Sequence, residues 1–485
     1  MRGTGVTPVE VAATRHRWWA LSALCAGALV ISLDATIVNV ALPPIQVDLG
    51  FSRAALAWVV NSYVLMFAGF RLLSARLGDL LGHRRLFLHG IALFILASLG
   101  CALADSQAQL IVARALQGLA GAIVAATALS LILNLFSEDA ERAKAIGAYG
   151  FVVSAGGTVG LLLGGTVTSV LNWHWIFLIN VPIGLTVYGL CFFWLADGTR
   201  PERLAHPDIA GAIAVTSSLL LAVYALIGGS ASEWPSLTTL ALLVGAALML
   251  ILFVLNEARA ANPLVPPGVF HRQRNLAYCA LTNMLSAVAG CTGTFASLYL
   301  QLVLKYPPGE VSLLFLPANL ALALAAVGLS ARLVRRFGIK PTLIGGLLIS
   351  LAGTLLLAQT SVNESITVNV LPATVLIGLG FGIAGNPMLL AAVSGAEPTE
   401  SGLISGITST SALFGWALGF ALLARAAAGQ TNALLVAGTD LPHALTRGYH
   451  VAFYLSAAAT GAAAVVSAVF LRREPFDRLQ KVSVR

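Results

Sequence analysis

Stretches of about twenty apolar residues recur along the whole of this 485-residue chain, and no other feature restricts its fold so tightly. In hydrocarbon no water is available to bond a backbone amide. Each stretch must therefore satisfy its own N–H and C=O groups, which a helix does and an open strand does not. Fourteen spans can be read, near residues 18–42, 54–75, 86–104, 108–135, 143–170, 174–196, 209–229, 236–256, 276–303, 311–331, 341–359, 366–394, 401–424 and 448–471. Composition agrees: 58% of residues are hydrophobic and 10% charged, against roughly a quarter charged in a soluble domain. The expected fold is all-α, a multi-pass protein of the cytoplasmic membrane with the lipid bilayer as its surroundings. The first apolar run follows Arg15 and Arg17 as a signal peptide would, but it is too long for one and reads as an uncleaved first span.

Orientation follows from the basic residues. With the N-terminus inside, 22 of the 28 Lys and Arg fall in cytoplasmic segments, among them Arg84, Arg85, Arg142, Lys144, Arg335, Arg336 and Lys340. Arg53, Lys305, Arg425 and Arg447 fall on the outer side, while Arg71 and Arg114 lie within spans. That asymmetry predicts that both termini are cytoplasmic. It also accounts for the net charge of +8 without a nucleic-acid partner, because the charges are spread over many loops.

A repeat refines the architecture. Ala75 to Arg84 reads ARLGDLLGHR after the second span, and Ala331 to Lys340 reads ARLVRRFGIK after the tenth. The copies lie eight spans apart, which predicts two six-helix halves with two extra central helices between them. On this reading residues 1–197 form the N-terminal half, 198–275 a linker carrying two inserted spans, 276–472 the C-terminal half and 473–485 a cytoplasmic tail. Parallel repeats of this kind build the two halves of one large transporter fold.

Asp34 stands inside the first span, where a carboxylate costs about 3 kcal/mol on insertion-based scales. It is the only acid placed well inside any span, and an acid so placed points to uptake and release of a proton. Arg114, early in the fourth span, stays charged and needs a partner, for which Asp34 is the one intramembrane acid. Gln117 lies one turn further along the same face and is positioned to complete the hydrogen bonding. In the loop after span two, Gly78 and Gly82 permit a tight turn, and the carboxylate of Asp79 is suited to cap a helix or accept from an Arg. Gly156, Gly160 and Gly164 form a smooth stripe on the fifth span, the sort that allows close helix approach in membranes. Span ten offers Ala318, Ala321, Ala325 and Gly328 as a matching stripe. Gly378, Gly380, Gly382, Gly385 and Pro387 make span twelve a candidate for a bent or broken helix. Asn39, Tyr63 and Trp416 are candidates for lining a substrate cavity, with ordinary packing an open reading for Trp416.

Other chemistries find little support. There is no GxxxxGK[ST] segment to bind ATP, and the eight His are scattered without metal-ligand spacing, so no metal or cofactor is expected. The five Cys fall inside spans and form no disulfide framework. No polar segment is long enough for a soluble catalytic domain, so the chain is expected not to be an enzyme.

Several of these stretches resemble a known family, the major facilitator superfamily, and within it the fourteen-span drug:proton antiporters of the EmrB/QacA type. LDATIVNVALP (Leu33 to Pro43) is similar to that branch's span-one signature, and ARLGDLLGHRR (Ala75 to Arg85) to the superfamily's loop motif GxLaDrxGrR. RALQGLAGA (Arg114 to Ala122) resembles the span-four motif RxxQGxgaA. The segment from Gly156 to Gly165 resembles the antiporter motif GxxxGPxxGG, with Leu161 where the family commonly has Pro, and WHWIFLINVPIG (Trp173 to Gly184) resembles the approach to span six. The resemblance implies a two-state gating latch in Gly78, Asp79, Gly82, Arg84 and Arg85. It implies an Arg114 that tunes protonation of Asp34, and a span-five stripe of Gly156, Gly160, Gly164 and Gly165 that meets span ten across the halves. The function it implies is proton-coupled export of a small lipophilic compound, cationic or neutral, by a monomer. Proton-coupled uptake, lipid or metabolite transport, and a non-transporting sensor on the same fold stay open at this point.

Overall fold

The computed structural model describes residues 8–52, 55–136, 139–195, 208–227, 236–260, 263, 265, 268–362, 366–393 and 401–471. Every element among them is helical. The first group comprises α1 (Pro8–Asp48), α2 (Ala57–Leu81), α3 (His83–Ala102), α4 (Gln107–Leu135), α5 (Asp139–Val170), α6 (His174–Leu178) and α7 (Asn180–Trp194). A pair follows, α8 (Ile209–Ile227) and α9 (Leu237–Arg259), and then a short α10 (Gly268–Arg272). The last group is α11 (Arg274–Gly290), α12 (Thr292–Leu302), α13 (Pro308–Leu314), α14 (Leu316–Leu324), α15 (Ser330–Phe337), α16 (Ile339–Leu357), α17 (Leu371–Val393), α18 (Ser401–Val436) and α19 (Leu441–Phe470). Thirteen helices among the described residues are long and apolar enough to cross a membrane. The expected second span is not among those thirteen; it folds as the 25-residue α2, which carries Arg71.

Local chemistry explains where helices start and stop. Ser106 caps α4 by accepting from the amide of Gln109, and Ser236 caps α9 by accepting from that of Thr239. The two repeat loops turn in the same way. Gly82 ends α2 and opens α3 at φ +93°, and its counterpart Gly338 ends α15 and opens α16 at φ +88°. Both conformations exclude a side chain without strain, which is why the later Gly is shared by the two copies.

The spans are interrupted at places other than the one the sequence suggests. The helical hydrogen bonding is interrupted at Ile179 in span six, between α6 and α7, and at Cys291 in span nine, between α11 and α12, though both residues keep right-handed helical dihedrals. Span ten relaxes into π geometry over Ala325–Leu329. Span twelve opens in π geometry over Ile366–Val370 and then continues through Pro387 as one helix, α17, whose glycines are points of close approach: Gly378 lies on the backbone of Ala318, Gly382 on that of Leu322, and Gly380 on that of Gly346 and Ser350. The helix is unbroken at its glycines and proline, and those glycines pack closely on two neighbours.

Three hydrophobic clusters show how the groups meet. One unites Leu33 to Ile45 of α1 and Leu56 to Ala68 of α2 with Phe295, Tyr299, Phe420 and Tyr449 from the last group. Toward the end of α1 that carries the N-terminus, packing is separate. Ala20 to Ile31, Phe87, Phe94 and Phe136 form a cluster drawn from the first group alone. Leu276, Cys279, Leu343, Met388 and Ile404 belong to another, drawn from α10 and the last group. The two groups are thus joined at one end of the molecule and independently packed at the other. Helix α8 lies against α2, where Thr216 fills the space above Gly69 and the ring of Tyr224 meets that of Trp58 at a tilt of 50°, with centroids 5.9 Å apart. Helix α9 packs on α8, with Ser218 Oγ donating to the Ala246 carbonyl, and turns Leu240, Val244, Leu248 and Leu252 outward.

Candidate functional site

Asp34, Arg114 and Gln117 come together inside the first group, each fully shielded from solvent. Helix α1 supplies the acid and α4 the cation, and Arg114 Nη1 donates to Asp34 Oδ2 at 2.7 Å. The same nitrogen donates to Gln117 Oε1 at 2.9 Å, and Arg114 Nε to the Val59 carbonyl of α2 at 3.1 Å. Two rings flank the guanidinium, that of Tyr63 at 4.4 Å and that of Phe177 at 5.7 Å. A delocalised cation between aromatic faces is stabilised where water cannot reach it.

The carboxylate is bonded on both oxygens. Oδ1 accepts from Gln117 Nε2 at 3.2 Å and from Asn180 Nδ2 at 2.7 Å. Gln117 in turn donates to Ser98 Oγ at 2.8 Å and accepts from Cys101 Sγ at 3.1 Å. Asn180, Ser98 and Cys101 were not singled out by the sequence reading. Asn180 had a signal, since it is a lone amide in the apolar run IFLINVPIG; Ser98 and Cys101 are small residues that ordinary packing would explain equally well.

Close helix approach makes the network possible. A Cβ on Gly118 would collide with the Tyr63 backbone, so α4 and α2 touch one turn beyond Arg114. The glycine stripe of α5 lies on α1: Gly156 against Leu29 and Ser32, Gly160 against Leu33 and Thr36, Gly164 against Ile37. Spans five and ten do meet across the groups, as expected, though of the stripe only Gly165 makes that contact, abutting Ser312 and Pro308 of α13. Beside it, Ser312 Oγ donates to the Leu161 carbonyl at 2.7 Å. Ala318 and Ala325 of span ten instead face the glycines of α17. With Leu161 in place of Pro, α5 runs unbroken over 32 residues.

Of the loop residues, Gly78 packs over His83 and Thr127, and Gly82 makes the turn. Arg84 donates to the Phe192 carbonyl at 2.7 Å and lies 5.7 Å from that ring's centre, so it ties the loop to the end of span six. Arg85 is exposed, and the side chain of Asp79 lies outside the described residues.

The proposed cavity residues are scattered. Asn39 accepts from Thr294 Oγ1 of α12 at 3.2 Å, a bond across the two groups. Tyr63 is buried, its hydroxyl donating to the Ile31 carbonyl at 3.3 Å. Trp416 stacks parallel on Phe420, with centroids 5.4 Å apart. A cavity at the seam of the two groups is lined by Leu42, Gln46, Phe295, Phe420, Thr431 and Tyr449 among others. None of Asn39, Tyr63 and Trp416 is in that lining; Trp416 buttresses it through Phe420.

A sequence profile of the Major Facilitator Superfamily matches residues 24–420. The chain belongs to that superfamily. It is 36% identical to the puromycin resistance protein pur8 of Streptomyces alboniger, over 98% of this chain and 97% of that one. It is 35% identical to the cephamycin export protein CmcT of Amycolatopsis lactamdurans, with 83% and 84% covered, and 35% identical to the multidrug resistance protein Stp of Mycobacterium tuberculosis, with 84% and 75% covered. Among solved structures, a bacterial homologue of the human lysosomal transporter Spinster, in an inward-facing and unoccupied conformation, aligns with TM-score 0.65 at 17% identity over 97% of this chain and all of that one. An auto-inhibited POT-family peptide transporter aligns with TM-score 0.67 at 16% identity, with 94% and 98% covered. These two likenesses show a shared fold and the family match names it as that of the major facilitators, so the chain is a multi-pass membrane protein of a transporter family.

Proposed function

We propose that this transporter exports lipophilic small molecules in exchange for protons, with Asp34 as the proton-carrying group. The observation that carries the reading is the solvent-shielded Asp34–Arg114 pair, held by two amides in the core of a span bundle. A buried ion pair is no efficient stabiliser, since desolvation offsets most of its Coulomb energy. Its retention in a membrane is better explained by a group that must change charge. The names of CmcT, an export protein, and of pur8 and Stp, resistance proteins, each at least 35% identical to this chain, support the direction.

With both termini in the cytoplasm, the joined end of the bundle is the outer one, and the structure is an inward-facing arrangement sealed outside. The seal comprises the Asn39–Thr294 and Ser312–Leu161 bonds and the aromatic cluster of Phe295 and Phe420. Arg114 and Gln117 set the charge state of Asp34. The loop of Gly78, Asp79, Gly82, Arg84 and Arg85 acts as the inner latch, formed when the cytoplasmic side closes. Gly156, Gly160 and Gly164 let α5 slide along α1, and Gly165 meets α13 at the outer seal. Two six-helix halves rock about this seam, with α8 and α9 as an insert outside them and the monomer as the working unit.

Pulse-acidified inverted vesicles test the reading. Adding a substrate such as puromycin should release protons from vesicles that contain the protein and not from those carrying Asp34→Asn. Uptake of protons together with substrate in the same direction would reverse the assignment to symport. Joining Ala196 to Asn275 through a linker tests the insert: a folded, inserted protein is expected, and failure of the last six spans to insert would refute the layout.

A further inference from the structure

Two amides bond the same carboxylate oxygen, and they are held differently. Gln117 cannot turn over, because its Oε1 accepts from Arg114, and a guanidinium offers donors only. Asn180 is tied on one side alone. Its Nδ2 donates to Asp34 Oδ1 at 2.7 Å, while its own Oδ1, buried and at zero exposure, has no partner among the described residues. A buried acceptor left unmet is costly, and this one stands free to accept a bond in another state of a cycle.

Protonation supplies that use. The proton that joins Asp34 goes to Oδ1, since at Oδ2 it would face Arg114 Nη1, which accepts nothing. At Oδ1 the new O–H meets the Asn180 NH2, donor against donor. A half-turn of the amide replaces that conflict with an O–H to Asn180 Oδ1 bond and releases the NH2 to the other side. One proton is added to the carboxylate and no covalent bond is broken. The ionisable groups facing Asp34 are Arg114 from α4, Tyr63 from α2 and Cys101 from α3; α5 presents its glycines there and α7 the amide. Asn180 is also the first residue of α7, directly after the interruption in span six. Pro182 lacks the N–H that the Leu178 carbonyl would otherwise accept, so the amide turns where the helix is least constrained.

We propose that Asn180 reads the charge of Asp34 by turning its amide over, as a positioning residue that passes protonation to the α6–α7 junction of span six. This rests on the proton-coupling assignment of Asp34. The test is infrared difference spectroscopy with pH on the full-length protein in lipid bilayers, its asparagine side-chain carbonyls labelled with 13C. A protonated-carboxyl band absent from Asp34→Asn is expected to rise with the same midpoint as a shift in a labelled amide band absent from Asn180→Leu. In Asn180→Leu the carboxyl band should move to higher frequency, and the pH midpoint of transport should move alkaline by about one unit, because the ionised form loses a charge-assisted donor. Asn180→Thr, whose hydroxyl donates or accepts by rotating, should restore the midpoint. An Asp34 band that titrates with no amide band following it overturns the proposal and leaves proton coupling standing; no Asp34 band at all overturns proton coupling itself. If Asn180→Leu does not fold, the labelled unmutated protein and Asn180→Thr decide the question.

Discussion

The two halves of this molecule pack alike and are chemically unlike. In the first, Gly118 of α4 sits on the backbone of Tyr63 in α2; in the second, Gly378 of α17 sits on the backbone of Ala318 in α14. Gly82 and Gly338 make matching positive-φ turns after the second and tenth spans. One helical turn before each packing glycine the likeness ends. The first half has Arg114 there, bonded to Asp34; the second has Thr374, which bonds only the Leu371 carbonyl of its own helix. Among the described residues the buried polar groups of α11 to α19 are hydroxyls and amides, with no acid or base. Close helix approach is thus a requirement of the fold, met in both halves, while charge is a requirement of the task, met in one. We infer that energy coupling resides in the first half and that the second serves as its neutral rocking partner.

The largest expected effect breaks this asymmetry by removing the charge. Asp34→Asn keeps the volume and one acceptor but cannot ionise, so transport driven by a pH gradient in proteoliposomes should fall to background while expression and folding persist. Arg114→Gln comes next. A buried pair that loses one partner is destabilised by about 3–5 kcal/mol unless the survivor neutralises itself, and here Asp34 can do so by holding a proton. The pH optimum of any remaining transport should therefore move alkaline. An unchanged optimum with good activity would mean that the two residues do not communicate.

How much of this was legible beforehand differed by kind of residue. Asp34, Arg114 and Gln117 could be read because charge inside an apolar span is costly and needs a partner within reach, which narrows the possibilities to one pair. The glycine stripe of α5 was legible as a smooth surface and illegible in its target. Small residues announce that a helix comes near without naming which one: Gly156, Gly160 and Gly164 lie on α1, and only Gly165 reaches span ten. The glycines and proline of α17 misled for the same reason, marking close packing and not a break in the helix. Asn180 stayed hidden because an amide in an apolar run reads as a helix-end residue until the carboxylate 2.7 Å away is seen. Span lengths and the repeat turn followed from the sequence directly, since hydrocarbon leaves the backbone few options.

A middle-sized effect tests whether the packing is shared as closely as it looks. Gly118→Ala and Gly378→Ala each place a methyl group against a backbone carbonyl that cannot move aside cheaply. Each should cost about 1–3 kcal/mol, read as a lowered thermal unfolding midpoint in detergent micelles. The functional consequences should diverge, because only Gly118 stands beside the charged network. A displaced pH profile is expected for Gly118→Ala and an ordinary one for Gly378→Ala. Equal pH displacement in both would show that the halves share the coupling chemistry after all.

The smallest expected effect is the sharpest control on the comparison. Thr374 holds the place in α17 that Arg114 holds in α4, yet its hydroxyl satisfies only its own helix. Thr374→Val keeps the branched shape and removes that one bond, a change of about 1 kcal/mol or less in stability. Since no charge depends on it, the pH profile and the proton-to-substrate ratio should both match those of the unaltered protein. Measured beside Arg114→Gln, the variant separates two explanations for a fault at this depth in a span. Should Thr374→Val move the pH profile as Arg114→Gln does, the shift would come from disturbing the helix crossing that both halves share. A silent Thr374→Val beside a displaced Arg114→Gln would instead tie the shift to the guanidinium's charge, and so to the half that carries Asp34.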